Sequence, residues 1–374
     1  MSDLNRIVLT GGGTGGHIYP ALALCRYLQK QHPHLEVLYI GTEKGLESTI
    51  VPKTGLKFST VNIQGLKRSL SLENFKTLWL MFNSTAQARQ ILKEFKPDVV
   101  IGTGGYVAAP VIYAAHKLNI PTIIHEQNSV VGLTNKWLSR YADRIAIAFE
   151  DAINDFSKYI DKTVLVGNPR GQEVIEAPVN RDILKEQFGL DPQKPTVLIF
   201  GGSRGAPSIN QAAFEGVNYW QDVPYQVIIA TGSDHYETFM QQLHLSYEML
   251  PKNIKVVPYI DQMPTVFRAV DLVVCRSGAT TLTELTALGI ASILVPSPYV
   301  TNNHQEHNAK ALVDRGAAEM IYQVELTGET LSKRVQTLMT NSKQRISMAQ
   351  AAYTLGVRDA NTRLDNLIQQ MLED

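Results

Sequence analysis

Short apolar runs alternate with amphipathic helical patterns along nearly the whole chain. The apolar runs predict strands at about 6–10, 36–40, 98–101, 121–124 and 144–148, and again at about 196–200, 226–230, 254–257, 271–274 and 291–295. Helical patterns between them include 20–31, 74–95, 208–219 and 281–288. Strands that alternate with helices are typical of parallel sheets. We therefore predict an α/β protein with two Rossmann-like, doubly wound domains that face each other across a cleft.

The predicted boundary between the two domains lies at Val166, where a strand-like run at 163–166 ends. We assign residues 1–166 to an N-terminal domain and residues 167–357 to a C-terminal domain. A last helical pattern, at about 358–374, is expected to pack back on the first domain. Ligands of such folds bind at the carboxyl ends of the strands, and every polar or glycine-rich motif below follows a predicted strand.

Composition narrows the classes of partner. The 374 residues include 35 basic and 35 acidic side chains, and this balance argues against a general nucleic-acid binder. Cys25 and Cys275 lie in apolar runs and are expected to be reduced core thiols. The sequence shows no secretory signal and no apolar stretch of the ~18 residues that a membrane span needs. We expect a cytoplasmic protein that could still lie on a membrane surface.

A glycine-rich loop follows the first strand, with Gly11, Gly13 and Gly16 in G-x-G-x-x-G spacing. Backbone N–H groups at such a helix start bind phosphate. A dinucleotide site would need an acidic residue at the end of the second strand, and Glu43 comes late for that role, which disfavours a nicotinamide or flavin dehydrogenase. His17 directly follows the loop. It is a candidate general base, although a single histidine is more often structural.

Two further clusters end first-domain strands. Residues 102–106 read Gly-Thr-Gly-Gly-Tyr, which would let a bulky ligand approach the backbone; the alternative is a tight turn packed by Tyr106. Residues 125–128 read His-Glu-Gln-Asn and offer four hydrogen-bonding side chains in a row. Such a row suits sugar hydroxyls, and a solvated loop is the alternative.

The second half carries its own phosphate-binding pattern. Residues 201–206 form another glycine loop after a strand, and residues 275–284 combine a glycine turn with a hydroxyl-rich helix start. The helix dipole and N–H groups would hold a diphosphate, and Glu284 could accept hydrogen bonds from ribose hydroxyls. A capping box would give a similar pattern without a ligand. His304 and His307 lack a third ligand, and neither an Asp-x-Asp pair nor a P-loop motif occurs, so we predict no metal site.

The stretch 66–82 is apolar with interleaved cations. Its apolar helical face consists of Leu72, Phe75, Trp79 and Phe82. The cations are Lys67, Arg68 and Lys76. A core helix would explain the pattern; an interfacial helix on anionic lipid is the sharper hypothesis.

Together and in this order, the motifs resemble the MurG family, the cell-wall glycosyltransferases that add GlcNAc to lipid I and so form lipid II. The matching stretches are Gly-Gly-Thr-Gly-Gly-His at 12–17, Gly-Gly-Tyr-Val at 104–107, His-Glu-Gln-Asn at 125–128, Gly-Leu-Thr-Asn-Lys-Trp at 132–137, Gly-Asn-Pro at 167–169, Gly-Gly-Ser-x-Gly-Ala at 201–206, Cys-Arg-Ser-Gly-Ala at 275–279 and His-Gln-x-x-Asn-Ala at 304–309. Arg204 and His304 stand where many members have glutamine, so their roles stay open.

The resemblance implies the GT-B fold and inverting transfer of GlcNAc from UDP-GlcNAc to the C4 hydroxyl of MurNAc in lipid I, without a metal or other cofactor. His17 is the first choice for the base and Glu126 the second. The residues implied for the sugar donor are Thr14, Gly15, Gly16, Asn128, Arg170, Ser203, Ile260, Ala279, Thr280, Thr281, Leu282, Thr283, Glu284 and Gln305. Those implied for the acceptor are Gly13, Thr14, Gly104, Gly105 and Tyr106.

The implied partners are UDP-GlcNAc, lipid I, the anionic surface of the membrane and other wall-synthesis proteins. The implied place is peripheral, on the cytoplasmic face of the cell membrane, with a role in cell shape and division. Two alternatives stay open. A UDP-GlcNAc 2-epimerase of the same fold would use the same nucleotide sugar without a lipid acceptor, and a non-catalytic nucleotide-sugar sensor or scaffold would need an inert first-domain cleft.

Overall fold

The structure is a computed structural model that describes residues 4–64, 73–202 and 204–373, with only the backbone of residues 73–79. The chain divides into two compact units. The first contains the chain up to Gln172 together with the residues from Asp359 onward, and the second runs from Glu173 to Arg358. The crossover therefore lies slightly after the boundary predicted at Val166. The C-terminal segment returns to the first unit.

A parallel sheet forms the centre of the first unit, in the order β3-β2-β1-β4-β5-β6-β7. Its strands are β1 (Arg6–Thr10), β2 (Glu36–Gly41), β3 (Lys57–Thr60), β4 (Val99–Gly102), β5 (Thr122–Glu126), β6 (Arg144–Ile147) and β7 (Thr163–Leu165). The helices of this part are α1 (Gly15–Gln31), α2 (Glu47–Ile50), α3 (Glu73–Phe95), α4 (Ala108–Lys117), α5 (Leu133–Leu138) and α6 (Pro169–Glu176), which runs across the boundary between the units. Short 3-10 segments cover Pro52–Thr54 and Glu150–Lys162.

The second unit has a parallel sheet of its own, in the order β10-β9-β8-β11-β12-β13. Its strands are β8 (Thr196–Phe200), β9 (Gln226–Ala230), β10 (Ile254–Val257), β11 (Leu272–Cys275), β12 (Ala291–Leu294) and β13 (Glu319–Met320). Its helices are α7 (Ile183–Phe188), α8 (Pro207–Gly216), α9 (Ser233–Ser246), α10 (Met263–Phe267), α11 (Ala279–Leu288), α12 (His304–Val313), α13 (Gly328–Thr340) and α14 (Ser342–Leu355), and α15 (Ala360–Glu373) then completes the first unit. Further 3-10 turns cover Val217–Tyr219, Thr301–Asn303 and Gln323–Glu325.

The inner strands of each sheet are buried on both faces, which is why they read as continuous apolar runs. Side chains alternate between the faces of β1: Ile7 and Leu9 join the cluster that contains Leu364 and Ile368 of α15, and Val8 joins the cluster on the other face. The terminal helix therefore completes one of the cores of the first unit.

Of the edge strands, β7 and β10 were predicted, whereas β3 and β13 were missed by the sequence pattern. β3 is half-exposed and polar, and β13 has only two residues, so neither produces an apolar run. Helix α1 also begins at Gly15, before the predicted start at Pro20, because its first turn is made of residues that are common in loops. The prediction for Cys25 and Cys275 is confirmed, since both are buried and form no disulfide. No helix in the described ranges is both long and apolar enough to cross a membrane.

Candidate active site

The first glycine loop joins β1 to α1, and two buried side chains form hydrogen bonds with its backbone. The Tyr39 hydroxyl donates to the Gly11 carbonyl oxygen at 2.7 Å, and the Gly13 N–H donates to Glu47 Oε2 at 2.9 Å. Gly13 has φ +82°, a conformation that favours glycine. Gly13, Thr14 and Gly16 are exposed and Gly15 is half-buried, so the loop presents its outer side to ligands.

Sequence reasoning missed Glu47, although it supports this loop. Its carboxylate is fully buried and also accepts hydrogen bonds from Thr42 N at 3.1 Å and Thr42 Oγ1 at 2.7 Å. A Cβ added at Gly12 would lie 2.5 Å from the Glu47 carboxyl carbon, and one at Gly45 would also collide with the carboxylate. Glycines at 12 and 45 therefore make room for this side chain, and only the fold brings Gly12 next to Glu47.

The imidazole of His17 has a defined orientation. Its Nδ1 lies 2.9 Å from the Gly12 carbonyl oxygen and 3.3 Å from Thr14 Oγ1. The carbonyl oxygen is the nearer partner and can only accept, so we assign the proton of the neutral ring to Nδ1. The lone pair is then on Nε2, as a general base requires. The second cluster packs directly here: a Cβ at Gly104 would lie 3.0 Å from His17 Cδ2, and Thr103 Oγ1 donates to the His17 carbonyl oxygen at 2.7 Å.

The structure thus brings the first loop and residues 103–106 together. Gly104 itself is buried against the ring, so we revise its predicted contact with the acceptor to a role in placing His17. Gly105 has φ +79°, and a Cβ there would collide with the Gly12 carbonyl oxygen. Gly105 and Tyr106 are half-buried and remain candidates for the acceptor.

Glu126, the second choice for the base, is almost completely buried. Its Oε1 accepts from Asn128 N and Nδ2 at 3.0 and 3.1 Å, and its Oε2 accepts from Gly132 N and Asn135 Nδ2 at 3.0 and 2.9 Å. Four N–H donors therefore occupy both of its oxygens. This geometry disfavours proton abstraction by Glu126 and gives it a structural role in the loop that carries Asn128.

The expectation that all four residues at 125–128 face sugar hydroxyls is wrong for the first three, which are buried. His125 Nε2 donates to the Gly167 carbonyl oxygen at 2.8 Å, and Gln127 Nε2 donates to the Thr103 carbonyl oxygen at 2.7 Å and to His125 Nδ1 at 2.9 Å. Burial lowers the pKa of His125, which keeps the ring neutral. Only Asn128 of the four is half-exposed.

In the second unit, a glycine loop again joins a strand to a helix, here β8 to α8. Gly202 and Gly205 have φ +98° and +74°, and a Cβ at Gly205 would collide with the Thr231 carbonyl oxygen. Arg204 is exposed, and Ser203 lies outside the described residues. The predicted phosphate role of Ser203 therefore stays a prediction.

The start of α11 has the features of an anion site. Gly278 precedes the helix in an extended conformation, and the N-terminal end of the helix carries the positive end of its dipole. The Thr280 hydroxyl oxygen is buried and has no hydrogen-bond partner among the described residues, so its hydrogen-bonding capacity is unused within the chain that the structure describes. Glu284, one helical turn further along, is 6% exposed. The pKa of the Cys275 thiol at the end of β11 is raised, first by the burial of the thiol and second by the charge of Glu284.

Two predicted members of this stretch turn inward. Leu282 is completely buried in the core, and the Thr283 hydroxyl donates to the Ala279 carbonyl oxygen of its own helix at 2.9 Å. Residues three or four apart share a face of a helix. Thr280 and Thr281 therefore share a face with Glu284, whereas Leu282 and Thr283 lie on another. Thr280, Thr281 and Glu284 remain as candidates with suitable side chains, and Ala279 could contribute its backbone N–H.

A pocket of about 480 Å³ lies where β8, β11 and β12 end. It is lined by Gly201, Gly205, Ala206, Pro207, Ser208, Arg276, Ser297, Tyr299, Gln305 and Gln323. The predicted Gln305 is held by its Oε1, which accepts from Ser297 N at 2.9 Å. The pocket belongs wholly to the second unit and contains both the second glycine loop and Gln305.

Arg276 is a pocket residue that sequence reasoning did not select. Its guanidinium donates to the Val295 carbonyl oxygen at 3.1 Å, to Ser208 Oγ at 2.9 Å and to Gln323 Oε1 at 2.7 Å. Burial lowers its pKa. It places a cation in the wall of the pocket, and its position directly after the strand end at Cys275 was the sequence signal.

Several other predicted residues have positions that limit their roles. Ile260 is 3% exposed, so a contact with uracil would come from its main chain or from Tyr259, which is half-exposed. Arg170 belongs to the first unit, whereas the sequence boundary assigned it to the second; its N–H donates to Asn168 Oδ1 at 3.1 Å. His304 Nδ1 lies 2.8 Å from the Thr301 carbonyl oxygen.

The predicted membrane patch is described only in part. Lys67, Arg68 and Leu72 lie outside the described residues, and for Phe75, Lys76 and Trp79 only the backbone of α3 is described. Phe82, the last residue of the patch, is 81% exposed. That exposure disfavours a core position for Phe82.

Comparison with known proteins identifies the family. Residues 7–147 match the model of the glycosyltransferase family 28 N-terminal domain, and residues 196–364 match that of the family 28 C-terminal domain. The chain belongs to glycosyltransferase family 28. A family 28 relative from Halalkalibacterium halodurans is 52% identical over 98% of this chain and 99% of its own length. It is named UDP-N-acetylglucosamine--N-acetylmuramyl-(pentapeptide) pyrophosphoryl-undecaprenol N-acetylglucosamine transferase.

Solved structures agree with the family 28 assignment. A crystal structure of MurG from Acinetobacter baumannii superposes with a TM-score of 0.77 at 31% identity, covering 98% of this chain and 99% of that one. A UDP-GlcNAc 2-epimerase from Neisseria meningitidis superposes with a TM-score of 0.68, covering 98% of this chain and 99% of that one, but at 14% identity, so it shares the fold alone. The predicted GT-B fold and the predicted class of enzyme, a glycosyltransferase, are confirmed.

Proposed function

We propose that this protein transfers GlcNAc from UDP-GlcNAc to the C4 hydroxyl of the MurNAc residue in lipid I, which yields lipid II. The observation that carries the proposal is the identity of about half of all positions, over nearly the full length, with relatives that are named for this transfer. Each unit also offers suitable chemistry for one substrate: a glycine loop with a histidine in the first, and a helix start with a polar pocket in the second.

The acceptor hydroxyl is activated by His17. The C4 oxygen attacks the anomeric carbon of GlcNAc as its proton passes to Nε2 of the imidazole, and the bond between that carbon and the phosphate oxygen breaks with inversion. The hydrogen bond from Nδ1 to the Gly12 carbonyl supports this assignment, because it leaves the lone pair on Nε2. Glu126 serves by shaping the loop of Asn128, since four N–H groups already hold its carboxylate.

UDP leaves with the electron pair of the broken bond, so its growing negative charge must be stabilised. The N-terminal end of α11, with the Thr280 hydroxyl, would bind the diphosphate. Glu284 would accept hydrogen bonds from the ribose hydroxyls. Gln305, which lines the same pocket as Arg276, would form hydrogen bonds with hydroxyls of GlcNAc. Ser203 and Arg170 remain proposed phosphate contacts that rest on the sequence resemblance.

The test of this function is transfer of labelled GlcNAc from UDP-GlcNAc to a soluble lipid I analogue in the presence of EDTA. We expect a labelled disaccharide product and release of UDP that both depend on the acceptor. Conversion of UDP-GlcNAc to UDP-ManNAc without an acceptor would instead favour the epimerase. Binding of UDP-GlcNAc with neither reaction would favour a sensor or scaffold.

We propose that the first unit lies on anionic lipid at the cytoplasmic face of the membrane. Helix α4 and the turn that follows α5 carry half-buried aromatic rings with cations over them: Lys117 Nζ lies 5.5 Å from the Tyr113 ring and Arg140 Cζ lies 5.8 Å from the Tyr141 ring. Trp137 packs against Tyr141 at 5.0 Å between ring centroids. Amphipathic rings mixed with basic side chains fit the headgroup level of anionic lipid.

Phe82→Ser tests the membrane proposal, because this ring is 81% exposed in the predicted patch. Loss of a large apolar side chain from a lipid contact should weaken binding to phosphatidylglycerol-rich vesicles by about tenfold. Vesicle sedimentation measures this, and transfer to a soluble acceptor should not change. Leu245→Ser in the second unit is the matched control, since Leu245 is 89% exposed but lies outside the patch. Equal effects of both variants would contradict the proposal.

A further inference from the structure

One peptide group connects the buried carboxylate of Glu47 with the imidazole of His17. The carbonyl oxygen of Gly12 accepts from His17 Nδ1 at 2.9 Å, and the N–H of Gly13 donates to Glu47 Oε2 at 2.9 Å. These two groups belong to the same peptide unit, because the Gly12 carbonyl and the Gly13 nitrogen share one amide bond. The carboxylate and the histidine thus lie at opposite ends of one continuous hydrogen-bonded chain.

Such a chain is polarised by its charged end. The amide is a resonance system, so an anion that accepts its N–H increases the electron density on its carbonyl oxygen. The carbonyl then becomes a stronger acceptor for Nδ1–H. Glu47 is fully buried, so its charge is screened less than a surface carboxylate would be. Its two other donors, the N–H and hydroxyl of Thr42, are neutral and leave the negative charge in place.

We propose that Glu47 is a positioning residue that acts on His17 through the Gly12–Gly13 peptide group. It fixes the tautomer with the proton on Nδ1, and it stabilises the imidazolium that forms when Nε2 takes the proton of the acceptor hydroxyl. Hydrolytic triads achieve the same end with a direct carboxylate–histidine hydrogen bond. The catalytic part of this inference rests on the proposed function, whereas the tautomer and titration of His17 do not.

Other titratable groups surround this chain and must be considered in any pH experiment. From β2, the Tyr39 hydroxyl donates to Gly11; from α1, the Tyr19 ring lies against Gly15. Tyr106 follows the second cluster and lies against Gly13. From β5, Glu126 accepts from Asn135, whose amide nitrogen lies next to Gly104. Among these groups, Glu47 alone accepts a hydrogen bond from the N–H of the Gly12–Gly13 peptide group, whose carbonyl oxygen contacts His17 Nδ1.

Nitrogen-15 NMR of histidine-labelled protein tests the chain, with His17→Gln used to assign the His17 signals. In the unsubstituted protein we expect the neutral ring to carry its proton on Nδ1. In Glu47→Gln, which keeps the shape and removes the charge, we expect less of this tautomer and a His17 titration midpoint about half a pH unit or more lower. The acid limb of the kcat/KM profile should move in the same direction, and kcat should fall several-fold.

Asp98→Asn is the matched control. The Asp98 carboxylate also accepts two backbone N–H groups of the first unit, from Asn5 at 2.8 Å and Arg6 at 2.7 Å, but at the other end of the sheet. A general loss of stability should occur in both variants, whereas only Glu47→Gln should move the His17 signals. If Glu47→Gln does not fold, Thr42→Val replaces it. That change removes one donor to the carboxylate and should move the His17 midpoint upward.

Three results would overturn the proposal: a proton on Nε2 in the neutral ring, His17 signals that do not respond to Glu47→Gln, or an unchanged midpoint in Thr42→Val. Failure of the proposed function gives a different result. If His17→Gln retained full transfer, His17 would not be the base, but the spectra would still report whether Glu47 controls its ring. If His17→Gln abolished transfer while the spectra ignored Glu47, only the role of Glu47 would fail.

Discussion

Replacing His17 by glutamine should lower kcat by about 10²- to 10⁴-fold, the range in which a general base contributes, while the Kd for UDP-GlcNAc changes by no more than about twofold. Glutamine retains a hydrogen-bonding side chain of similar length but cannot accept a proton at neutral pH. The loss should therefore appear in the chemical step. We propose that the sugar donor binds the second unit, at α11 and the polar pocket, so the affinity for UDP-GlcNAc should survive.

Steady-state kinetics with a soluble lipid I analogue and calorimetric titration with UDP-GlcNAc separate the two quantities. His34→Gln is the control, because His34 is an exposed histidine just after α1 in the same unit. It should keep kcat within the experimental error. A collapse of UDP-GlcNAc affinity in His17→Gln would make His17 a binding residue. A larger loss of kcat in Glu126→Gln, with stability unchanged, would move the base to Glu126.

Glu284→Gln should raise the Kd for UDP by about 10- to 100-fold, because hydrogen bonds to a charged acceptor contribute roughly 1.5–3 kcal/mol. Glu284 in α11 is 6% exposed, so a carboxylate bound there to ribose hydroxyls would be little screened. Glutamine keeps the shape and one acceptor oxygen, so the fold should be retained. At saturating UDP-GlcNAc, kcat should change far less than KM, because the ribose is remote from the reacting bond.

The ribose contact can be measured by comparing UDP with 2′,3′-dideoxy-UDP. The unsubstituted protein should bind UDP more tightly, and Glu284→Gln should lose most of that preference. Glu215→Gln in α8 is the control; its carboxylate accepts from Gln211 Nε2 at 3.0 Å and Gly328 N at 2.7 Å and lies outside the candidate site. Equal weakening of both nucleotides in Glu284→Gln would show that Glu284 acts on the site as a whole and not on the ribose.

Local patterns were enough for the fold class and for the places where ligands approach. Parallel strands are covered on both faces, so β1 and β8 read as unbroken apolar runs, and the alternation with helices follows from them. Glycines after these strands marked both loops because positions such as Gly13 and Gly205 need a positive φ or a close backbone approach. The position of His17 at the start of α1 followed from the same pattern.

Tertiary contacts decided which polar side chains face ligands and which hold the loops. His125, Glu126 and Gln127 look like a sugar-binding row, yet they turn inward. Their partners in the fold are the carbonyl oxygens of Gly167 and Thr103 and the N–H groups of Asn128, Gly132 and Asn135.

The sequence by itself therefore determined two α/β halves, their glycine loops and the candidate base. Only the tertiary structure decided that Glu47 lies beneath the first loop and that Arg276 lies in the wall of the pocket. The physical reason is that backbone preferences and apolar periodicity are local properties of the chain. The hydrogen-bond partners of a buried charge come from residues that are distant in sequence and are brought together only when the core packs.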